Sequence, residues 1–423
     1  IAYTAPVTMT VSSLAVGGTI SGGTTKCTST TTTGLNLSGQ TSTSLQWQQS
    51  ADRITFSNVT TGTGGTTASY TTPVLTATTY YRVAVTNGAC SAFSDTATMT
   101  INAASVGGTV SGSATVCTGV NSTQLTASGF TGSIIWQSST DSTTWRDSAA
   151  ATASPFTASN LTTTTWFRTK VTSGVCNSAF STTSAKVTVS PATVAGTASP
   201  DTTVCASSNS VTVRLAGSVG SIQWQSSANG STWSAITGAT SATYTAPSLS
   251  SSTYYRARVK SGVCDSLFSN SVLVTVNPTS VAGTISGNAT VCIGTNSSSV
   301  TLTGNTGSIQ WQSSTDNINW GDIANATTSP YTASNLTVKT WYRARVQSGV
   351  CAAVNSSSVA ISINQLSVGG TISGASLVCT GTNRDTLTLS GNTGTLQWQS
   401  STDPSTIAFA NISGATTATY NPV

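Results

Sequence analysis

Apolar and polar residues alternate in short runs along the whole chain, and turn residues separate the runs. Residues 299–303 (SVTLT) and 308–312 (SIQWQ) alternate on either side of an Asn-Thr-Gly turn, and Ile309 and Trp311 fall on one face of the second run. Alternation of this length is typical of a half-buried β-strand. Further runs at residues 331–333, 340–346 and 357–363 bring the strands predicted in this part of the chain to about seven.

The same pattern recurs five times. Each unit opens with a Val-Gly/Ala-Gly-Thr segment, at Val16, Val106, Val194, Val281 and Val368. A cysteine, a tryptophan about 20 residues later and a second cysteine follow in each of the first four units. The predicted boundaries are 14–103 for repeat 1, 104–191 for repeat 2, 192–278 for repeat 3, 279–365 for repeat 4 and 366–423 for a truncated repeat 5.

Both ends of the chain are expected to be open. Residues 4–13 (TAPVTMTVSS) match the segments that close other repeats, such as SDTATMTINAAS, so residues 1–13 are predicted to be the last strand of a preceding domain. Repeat 5 stops before its second cysteine. We therefore expect the chain to be part of a longer polypeptide.

Short strands, frequent turns and an inward tryptophan between two cysteines predict an immunoglobulin-like (Ig-like) β-sandwich. The predicted fold class is all-β, with tandem Ig-like or fibronectin III-like sandwiches of about 87 residues. Linkers of a few residues, such as 102–105, favour an extended rod of sandwiches. The tryptophans predicted to lie in the cores are Trp47, Trp136, Trp224, Trp311 and Trp398.

One disulfide per repeat is predicted, in an oxidising compartment. The expected pairs are Cys27–Cys90, Cys117–Cys176, Cys205–Cys264 and Cys292–Cys351, with the partner of Cys379 beyond the chain end. A closed loop of about 60 residues stabilises each unit by roughly 4 kcal/mol in the chain-entropy model. An inter-domain pairing, such as Cys90 with Cys117, satisfies the cysteine count as well.

Composition argues against an enzyme. Only 6% of the residues are charged, His is absent and all ten acidic residues are Asp, which removes catalytic triads, His-based metal sites and glutamate acid/base pairs. We expect no catalytic, cofactor-binding or metal-binding residues and no cofactor. The net charge of +5 includes no basic run, and no apolar run is long enough to span a bilayer, so neither nucleic acid nor direct membrane insertion is expected.

A second aromatic set lies nine residues after the core tryptophans, in polar surroundings. Packing on a sheet edge and stacking against a sugar are both compatible with it. The possible glycan-contact residues are Trp145, Trp233 and Trp320, to which Phe56 corresponds in repeat 1. Strand-borne arginines recur close to aromatic pairs, at Arg82, Arg168, Arg256, Arg258, Arg343 and Arg345, either as a solvated outer face or as a contact for acidic glycans.

The phrases GTISG, IQWQSSTD, YTASNLT and YYRARVKSGVC resemble the Ig-like repeats of very large secreted surface proteins of Bacteroidota, including the gliding-motility adhesins of flavobacteria. The resemblance implies export by the type IX secretion route, display on the outer-membrane surface of a Gram-negative cell, and a role in adhesion or gliding. It also implies O-linked glycans after Asp, where the matching positions are Thr96, Ser142, Ser148, Thr202, Ser266 and Thr386.

The leading functional hypothesis is a structural and adhesive repeat region of a large extracellular surface protein, either an adhesin stalk or a surface filament. Its partners would be surface glycans, other cells or substrata, or neighbouring copies of the same chain. One alternative is a carbohydrate-binding array attached to a secreted polysaccharide-degrading enzyme. Another is a filament subunit that polymerises by strand exchange, with residues 4–13 completing a neighbour's unfinished domain.

Overall fold

The computed structural model describes residues 1, 3–28, 31–206, 209–374, 377–378, 381, 385–403, 405 and 408–422. These residues form β-strands and turns and no helix. The chain divides into two compact units. The first comprises Ile1–Gly196, Gly217–Ser221 and Val259–Leu267, and the second comprises Thr197–Ala216, Ile222–Arg258 and Phe268–Val423.

Each complete repeat is a sandwich of a three-stranded and a six-stranded sheet. In repeat 1 the sheet orders are β1-β3-β6 and β2-β9-β7-β4-β5, with β8 also paired to β7. The strands of repeat 1 are β1 (Thr19–Ser21), β2 (Thr24–Cys27), β3 (Gly34–Ser38), β4 (Ser44–Ser50), β5 (Ser57–Asn58), β6 (Ser69–Thr71), β7 (Thr79–Asn87), β8 (Cys90–Phe93) and β9 (Ala97–Asn102).

Repeats 2 to 4 repeat this order, strand for strand. Repeat 2 consists of β10 (Thr109–Ser111), β11 (Ala114–Cys117), β12 (Ser122–Ser128), β13 (Ser133–Ser139), β14 (Arg146–Asp147), β15 (Phe156–Ser159), β16 (Thr165–Thr172), β17 (Ala179–Phe180) and β18 (Ala185–Ser190). Repeat 3 consists of β19 (Thr197–Ser199), β20 (Thr202–Cys205), β21 (Val211–Ala216), β22 (Ser221–Ser227), β23 (Ser234–Ala235), β24 (Thr243–Ala246), β25 (Thr253–Lys260), β26 (Leu267–Phe268) and β27 (Val272–Asn277).

Repeat 4 consists of β28 (Thr284–Ser286), β29 (Ala289–Cys292), β30 (Ser297–Thr303), β31 (Ser308–Ser314), β32 (Gly321–Asp322), β33 (Tyr331–Ser334), β34 (Thr340–Gln347), β35 (Val354–Asn355) and β36 (Val359–Asn364). The described strands of repeat 5 are β37 (Thr371–Ser373), β38 (Leu387–Ser390), β39 (Gln399–Ser400), β40 (Ala410–Asn411) and β41 (Thr419–Tyr420). Of these, β37, β38 and β41 form a three-stranded sheet.

The predicted all-β class of tandem Ig-like sandwiches is confirmed. The alternating run at 340–346 is β34, and the run at 299–303 lies within β30. Each complete repeat has nine strands instead of the predicted seven or so, because the first and last strands are each divided. The first strand changes sheets between β28 and β29, and the last pairs with β34 in two pieces, β35 and β36.

The core of each sandwich lies around one tryptophan on the six-stranded sheet. Trp136 is fully buried, stacks on Phe156 with ring centroids 5.3 Å apart, and donates its indole N–H to the Ala153 carbonyl at 2.9 Å. That bond satisfies the only polar atom of the buried ring. The corresponding rings of Trp47, Trp224 and Trp311 are also fully buried, and Trp398 is 7% exposed.

The Val-Gly/Ala-Gly-Thr segment fixes where each sandwich begins. Val106 forms an isolated antiparallel bridge with Thr131, which lies in the turn before β13. Gly108, the second glycine of the segment, has a φ of +67°, a conformation that side chains with a Cβ rarely adopt. The recurring glycine is therefore a backbone requirement of the turn into β10.

The second half of the divided first strand runs parallel to the last strand. In repeat 2, β11 pairs in parallel with β18, and Cys117 is opposite Ser190. Both strands end there, and the chain continues from Ser190 into repeat 3. The first cysteine of a repeat is consequently placed at the junction with the next repeat.

Candidate functional site

Three disulfides join consecutive repeats at these junctions. Cys27 of repeat 1 is bonded to Cys176 of repeat 2, with Cα atoms 4.9 Å apart. In the same way, the first cysteine of repeat 2 is bonded to the second cysteine of repeat 3 (Cys117–Cys264), and the first of repeat 3 to the second of repeat 4 (Cys205–Cys351). The Cα–Cα distance is 5.0 Å in both bridges. Both cysteines of each bridge lie within the same compact unit.

Polar contacts support each bridge from the linker between the repeats. The Ser173 N–H donates to Ser105 Oγ at 2.9 Å, and the Val175 N–H donates to Asn102 Oδ1 at 3.2 Å. Cys176 itself is only 5% exposed, and its Sγ lies 3.2 Å from the Ala103 carbonyl oxygen. The Ser-Gly-Val-Cys turn of one repeat is therefore seated on the last residues of the repeat before it.

This seat recurs at the other bridges. The Ser348 N–H donates to Ser280 Oγ at 2.9 Å, and the Val350 N–H donates to Asn277 Oδ1 at 3.2 Å. At Cys264 the acceptor of the Ser261 N–H is Thr193 Oγ1, at 3.1 Å. Serine and threonine replace one another here because both place a hydroxyl at the same distance from the backbone.

The predicted in-repeat pairs Cys27–Cys90, Cys117–Cys176, Cys205–Cys264 and Cys292–Cys351 are wrong. Thr165 at the start of β16 pairs with Val187, three residues before Ser190, so Cys117 lies beyond that end of β16. Cys176 lies beyond the other end, after Thr172. About ten residues at 3.3 Å each separate the two cysteines by roughly 30 Å, far more than a disulfide spans.

Two further cysteines are free thiols in the described part of the chain. Cys90 is half-buried at the start of β8, and Cys292 is exposed at the end of β29. Cys90 is the second cysteine of repeat 1, and Cys292 is the first cysteine of repeat 4. Cys379 lies outside the described residues. The inter-domain pair Cys90–Cys117 is likewise not formed, because Cys117 is bonded to Cys264.

A second recurring site lies on the outer face of the six-stranded sheet. The Arg168 guanidinium is held between two rings, 4.4 Å from the centroid of Trp145 and 4.1 Å from that of Phe180. Its Nε–H donates to Gln137 Oε1 at 2.8 Å, and Gln137 Nε2 donates to Asp147 Oδ1 at 2.6 Å. Partial burial lowers the pKa of the Arg168 guanidinium below its usual value.

We call this arrangement the arginine sandwich. It recurs as Arg82 between Phe56 and Phe93 and as Arg256 between Trp233 and Phe268. In repeat 4, Arg343 lies 4.3 Å from the Trp320 centroid and bonds to Gln312. The second aromatic set and the first arginine of each long strand thus belong to one cluster, although they lie in separate segments of the sequence. The glutamine after each core tryptophan was the missed signal.

In each tryptophan of the second aromatic set, one face of the indole ring is covered by the guanidinium of the neighbouring arginine. Trp145, Trp233 and Trp320 are half-buried, so part of each ring stays accessible. The second arginines, Arg258 and Arg345, are exposed on the same strands. Repeats 3 and 4 therefore present a partly covered tryptophan ring on the same face as an exposed arginine.

A tight turn beside the sandwich is organised by an acidic or amide side chain. Asp141 Oδ1 accepts the N–H groups of Thr143 and Thr144 and the hydroxyl of Ser139, at 2.7–2.8 Å. These bonds hold the pKa of Asp141 far below its usual value. Asp52 and Asp316 form the same turn, and Asn229 replaces them in repeat 3. Nowhere among the described residues do three potential metal ligands cluster.

The predicted glycosylation positions differ in accessibility. Ser142 and Thr386 are exposed, whereas Thr96, Ser148, Thr202 and Ser266 are half-buried. Ser142 has a φ of +61° in the turn held by Asp141. Ser142 and Thr386 are therefore the most accessible of the six positions.

A cavity of about 430 Å³ lies in repeat 5 and is lined by residues that include Leu389, Trp398 and Phe409. In repeat 4 the ring equivalent to Trp398, Trp311, is covered by β34, which pairs with β31 along its whole length. The cavity is thus a sandwich interior and not a built ligand pocket.

The fold and its junctions define a tandem array of Ig-like domains joined by inter-domain disulfides. The chain belongs to the family of the domain of unknown function DUF8696, which matches residues 16–103, 106–191, 194–278, 281–365 and 368–423. No curated protein matches the sequence.

Three solved structures are among those to which the chain is similar. A Ca²⁺-stabilized adhesin with which an Antarctic bacterium binds ice is 14% identical over 83% of this chain and 100% of that chain, with a TM-score of 0.32. The N-terminal four Ig domains of Dscam1 isoform 6.9 are 12% identical over 81% and 97%, with a TM-score of 0.26. Sidekick-1 immunoglobulin domains 1–5 are 12% identical over 83% and 81%, with a TM-score of 0.29. Such low values carry no information on what this chain binds.

The disulfides bear on the compartment. Structural disulfides persist in oxidising surroundings, so the three bridges indicate an extracellular protein. Within the described ranges, no helix has the length and apolar character needed to cross a bilayer.

Proposed function

We propose that the chain is an adhesive repeat region of an extracellular surface protein and has no enzymatic activity. The observation that carries this proposal is the recurrence of an arginine stacked on an aromatic ring at equivalent strand positions, between two rings in repeats 1 to 3 and on one ring in repeat 4. A surface repeated along a chain suits weak contacts that gain strength from their number. Catalysis, in contrast, needs a unique constellation of acid, base or nucleophile.

The partner that suits this surface is an acidic glycan on a cell or substratum. The exposed guanidinium groups of Arg258 and Arg345 supply charge, and the half-exposed rings of Trp233 and Trp320 supply stacking area. Contacts of this kind are weakened by salt because the charges are solvated.

The test is retention of beads that carry the oxidised chain on surfaces coated with an acidic polysaccharide, a neutral polysaccharide or no polysaccharide. We expect retention on the acidic surface that falls several-fold between low and physiological salt. Arg258→Gln together with Arg345→Gln is expected to reduce it, whereas Lys186→Gln together with Lys339→Gln, which also removes two exposed positive charges, is the matched control. No retention on any coated surface would refute the adhesive proposal.

A carbohydrate-binding array is the second candidate, favoured by the half-exposed rings of the arginine sandwiches. Trp233→Ala with Trp320→Ala is expected to abolish neutral-glycan binding if sugars stack on these rings. Trp166→Ala with Trp341→Ala is the matched control, because both rings are also half-buried but lie beside Lys186 and Lys339 instead of an arginine. Equal loss in the control would point to destabilisation and reject a sugar platform.

The finer features implied by the sequence resemblance are part of the proposal: an origin in Bacteroidota, type IX export to the outer-membrane surface, gliding motility and O-glycosylation. Accessibility supports Ser142 and Thr386 as the glycosylated hydroxyls. Peptide mass spectrometry of the protein from its native source is expected to find hexose-containing adducts there and none on Ser148. Unmodified Ser142 and Thr386 would reject this part of the proposal.

A further inference from the structure

The three disulfide loops overlap along the chain. Cys117 lies inside the loop closed by Cys27 and Cys176, and Cys205 lies inside the loop closed by Cys117 and Cys264. Their sequence separations are 149, 147 and 146 residues, so each loop spans well over one repeat. Every position from Cys27 to Cys351 is consequently enclosed by at least one bridge.

We propose that these bridges form a covalent shortcut that carries tension past the folded repeats and limits how far the chain can be stretched. Tension that enters at Cys27 crosses directly to Cys176. It then follows the backbone from Cys176 to Cys205 and crosses to Cys351. Residues 28–175 and 206–350 lie off this path.

The shortcut reduces the maximum extension about tenfold. The backbone from Cys27 to Cys351 has about 325 residues and reaches about 1,100 Å when fully extended. The path through two bridges includes only about 30 residues of backbone and reaches about 100 Å. Unfolding of the sandwiches therefore cannot release most of the chain while the bridges are intact.

The middle bridge, Cys117–Cys264, is not on the shortest path but secures it. If Cys205–Cys351 is absent, tension can return from Cys176 to Cys117, cross to Cys264 and continue to Cys351. That path has about 145 residues and reaches about 500 Å. Loss of the middle bridge alone leaves the shortest path unchanged.

The burial of the bridged cysteines suits this role. Each second cysteine is buried, at 5%, 3% and 2% exposure for Cys176, Cys264 and Cys351. A buried sulfur is shielded from attack by an external thiolate, for which access is a requirement. One sulfur of each bridge is thus shielded while the junctions stay folded, whereas the first cysteines, Cys27, Cys117 and Cys205, are half-buried.

The experiment is single-molecule stretching of the full oxidised chain between handles at its two termini, before and after addition of a reductant. The chain segments before Cys27 and after Cys351 add the same extension to the oxidised and the reduced chain. We expect reduction to release about 1,000 Å of additional extension. The proposal concerns covalent connectivity and is independent of any adhesive partner, so its failure and that of the proposed function are distinguishable.

Two paired variants make the test specific. Cys205→Ser with Cys351→Ser is expected to raise the oxidised extension between the bridge ends about fivefold, to about 500 Å. Cys117→Ser with Cys264→Ser, the matched control, removes a bridge of the same kind and is expected to leave the oxidised extension as in the unaltered chain. If either variant fails to fold, the unaltered chain with and without reductant still decides.

Two results would overturn the proposal. In-repeat pairing would give an oxidised path of about 85 residues and an extension near 300 Å, three times the expected value. An oxidised chain that extends as far as the reduced one would show that no continuous shortcut exists.

Discussion

Tyr81 and Phe167 occupy the same inward position of the long strand that pairs with the tryptophan strand, in repeats 1 and 2. Tyr81 is fully buried, and its hydroxyl has no hydrogen-bond partner among the described residues. Burial raises the pKa of this phenol, because the charged form would be poorly solvated. Phe167 has no such group and is packed equally well, at 3% exposure.

Tyr81→Phe is therefore expected to leave the free energy of unfolding unchanged or to raise it by up to about 1 kcal/mol, because a buried unpaired hydroxyl is removed. Denaturant unfolding of the oxidised chain measures the change. Tyr70→Phe is the control: the Tyr70 hydroxyl donates to the Thr61 carbonyl at 2.7 Å, so its loss should cost about 1 kcal/mol. A clear loss in the Tyr81 variant would contradict the assignment of its hydroxyl as unpaired.

Among the single residues, Asp52 forms a contact that depends on pH. The N–H groups of Thr55 and Ile54 and the Ser50 hydroxyl bind its carboxylate and lower its pKa to about 2. Since the folded pKa lies below the unfolded value of 3.8, the contact favours folding above about pH 4 and is lost as the pH falls through 2.

The carboxyl carbon of Asp52, followed by NMR with ¹³C-labelled Asp, is expected to titrate near pH 2. Asp52→Asn should assign the signal and keep the turn, because Asn229 holds the equivalent turn of repeat 3 with Oδ1 bonds of 2.8 and 2.9 Å. A titration near pH 4 would mean that the turn does not form in solution.

At the scale of elements, the hairpin that carries the second cysteine determines how a repeat meets its neighbour. Where the cysteine is bonded, the returning strand is short, with two residues each in β17, β26 and β35. In repeat 1, where Cys90 is free, β8 has four residues and begins at the cysteine itself. The shorter hairpin pairing thus accompanies a bonded second cysteine, and the longer one accompanies the free Cys90.

The glycine of this hairpin is predicted to be indispensable. Gly174 has a φ of +52°, and a Cβ there would collide with the Asn102 side chain. Gly174→Ala is expected to cost clearly more than Gly129→Ala, which places a Cβ in open space at a φ of +68° and should cost about 1 kcal/mol. Thermal unfolding of both variants measures the difference. Equal costs would show that the junction is looser than the structure describes.

Most elements were predictable because the signals are local. The alternating run at residues 340–346 predicted β34 to within one residue at its C-terminal end. The recurring Val-Gly/Ala-Gly-Thr segments predicted the start of each β-sandwich. The arginine sandwich was not predicted as a unit. Arg168, Trp145 and Gln137 come from three separate segments, and only the pairing of β13 with β14 and β16 brings them together.

At the scale of the whole chain, the bridges are the main difference from expectation. A loop of about 150 residues stabilises the folded state by about 5 kcal/mol in the chain-entropy model, somewhat more than the 60-residue loops expected from the sequence. More importantly, each bridge links two consecutive repeats covalently, where the expected bridges would each have closed a loop within one repeat.

Digestion of the oxidised chain with pepsin at acid pH, followed by mass spectrometry without reduction, tests this connectivity. The expected products are peptides that link Cys27 to Cys176, Cys117 to Cys264 and Cys205 to Cys351. Acid pH suppresses thiolate formation and therefore disulfide exchange. Peptides that link Cys27 to Cys90 would contradict the structure directly.

The sequence alone determined the all-β class, the repeat and the strands, since alternation and turn residues act over a few positions. It could not determine the partner of each cysteine. In every repeat the first and second cysteines flank the tryptophan at suitable spacing, and sequence distance favours pairing them with each other. The tertiary structure decides otherwise, because the parallel pairing of β11 with β18 carries Cys117 to the far end of its own sandwich, beside the next repeat.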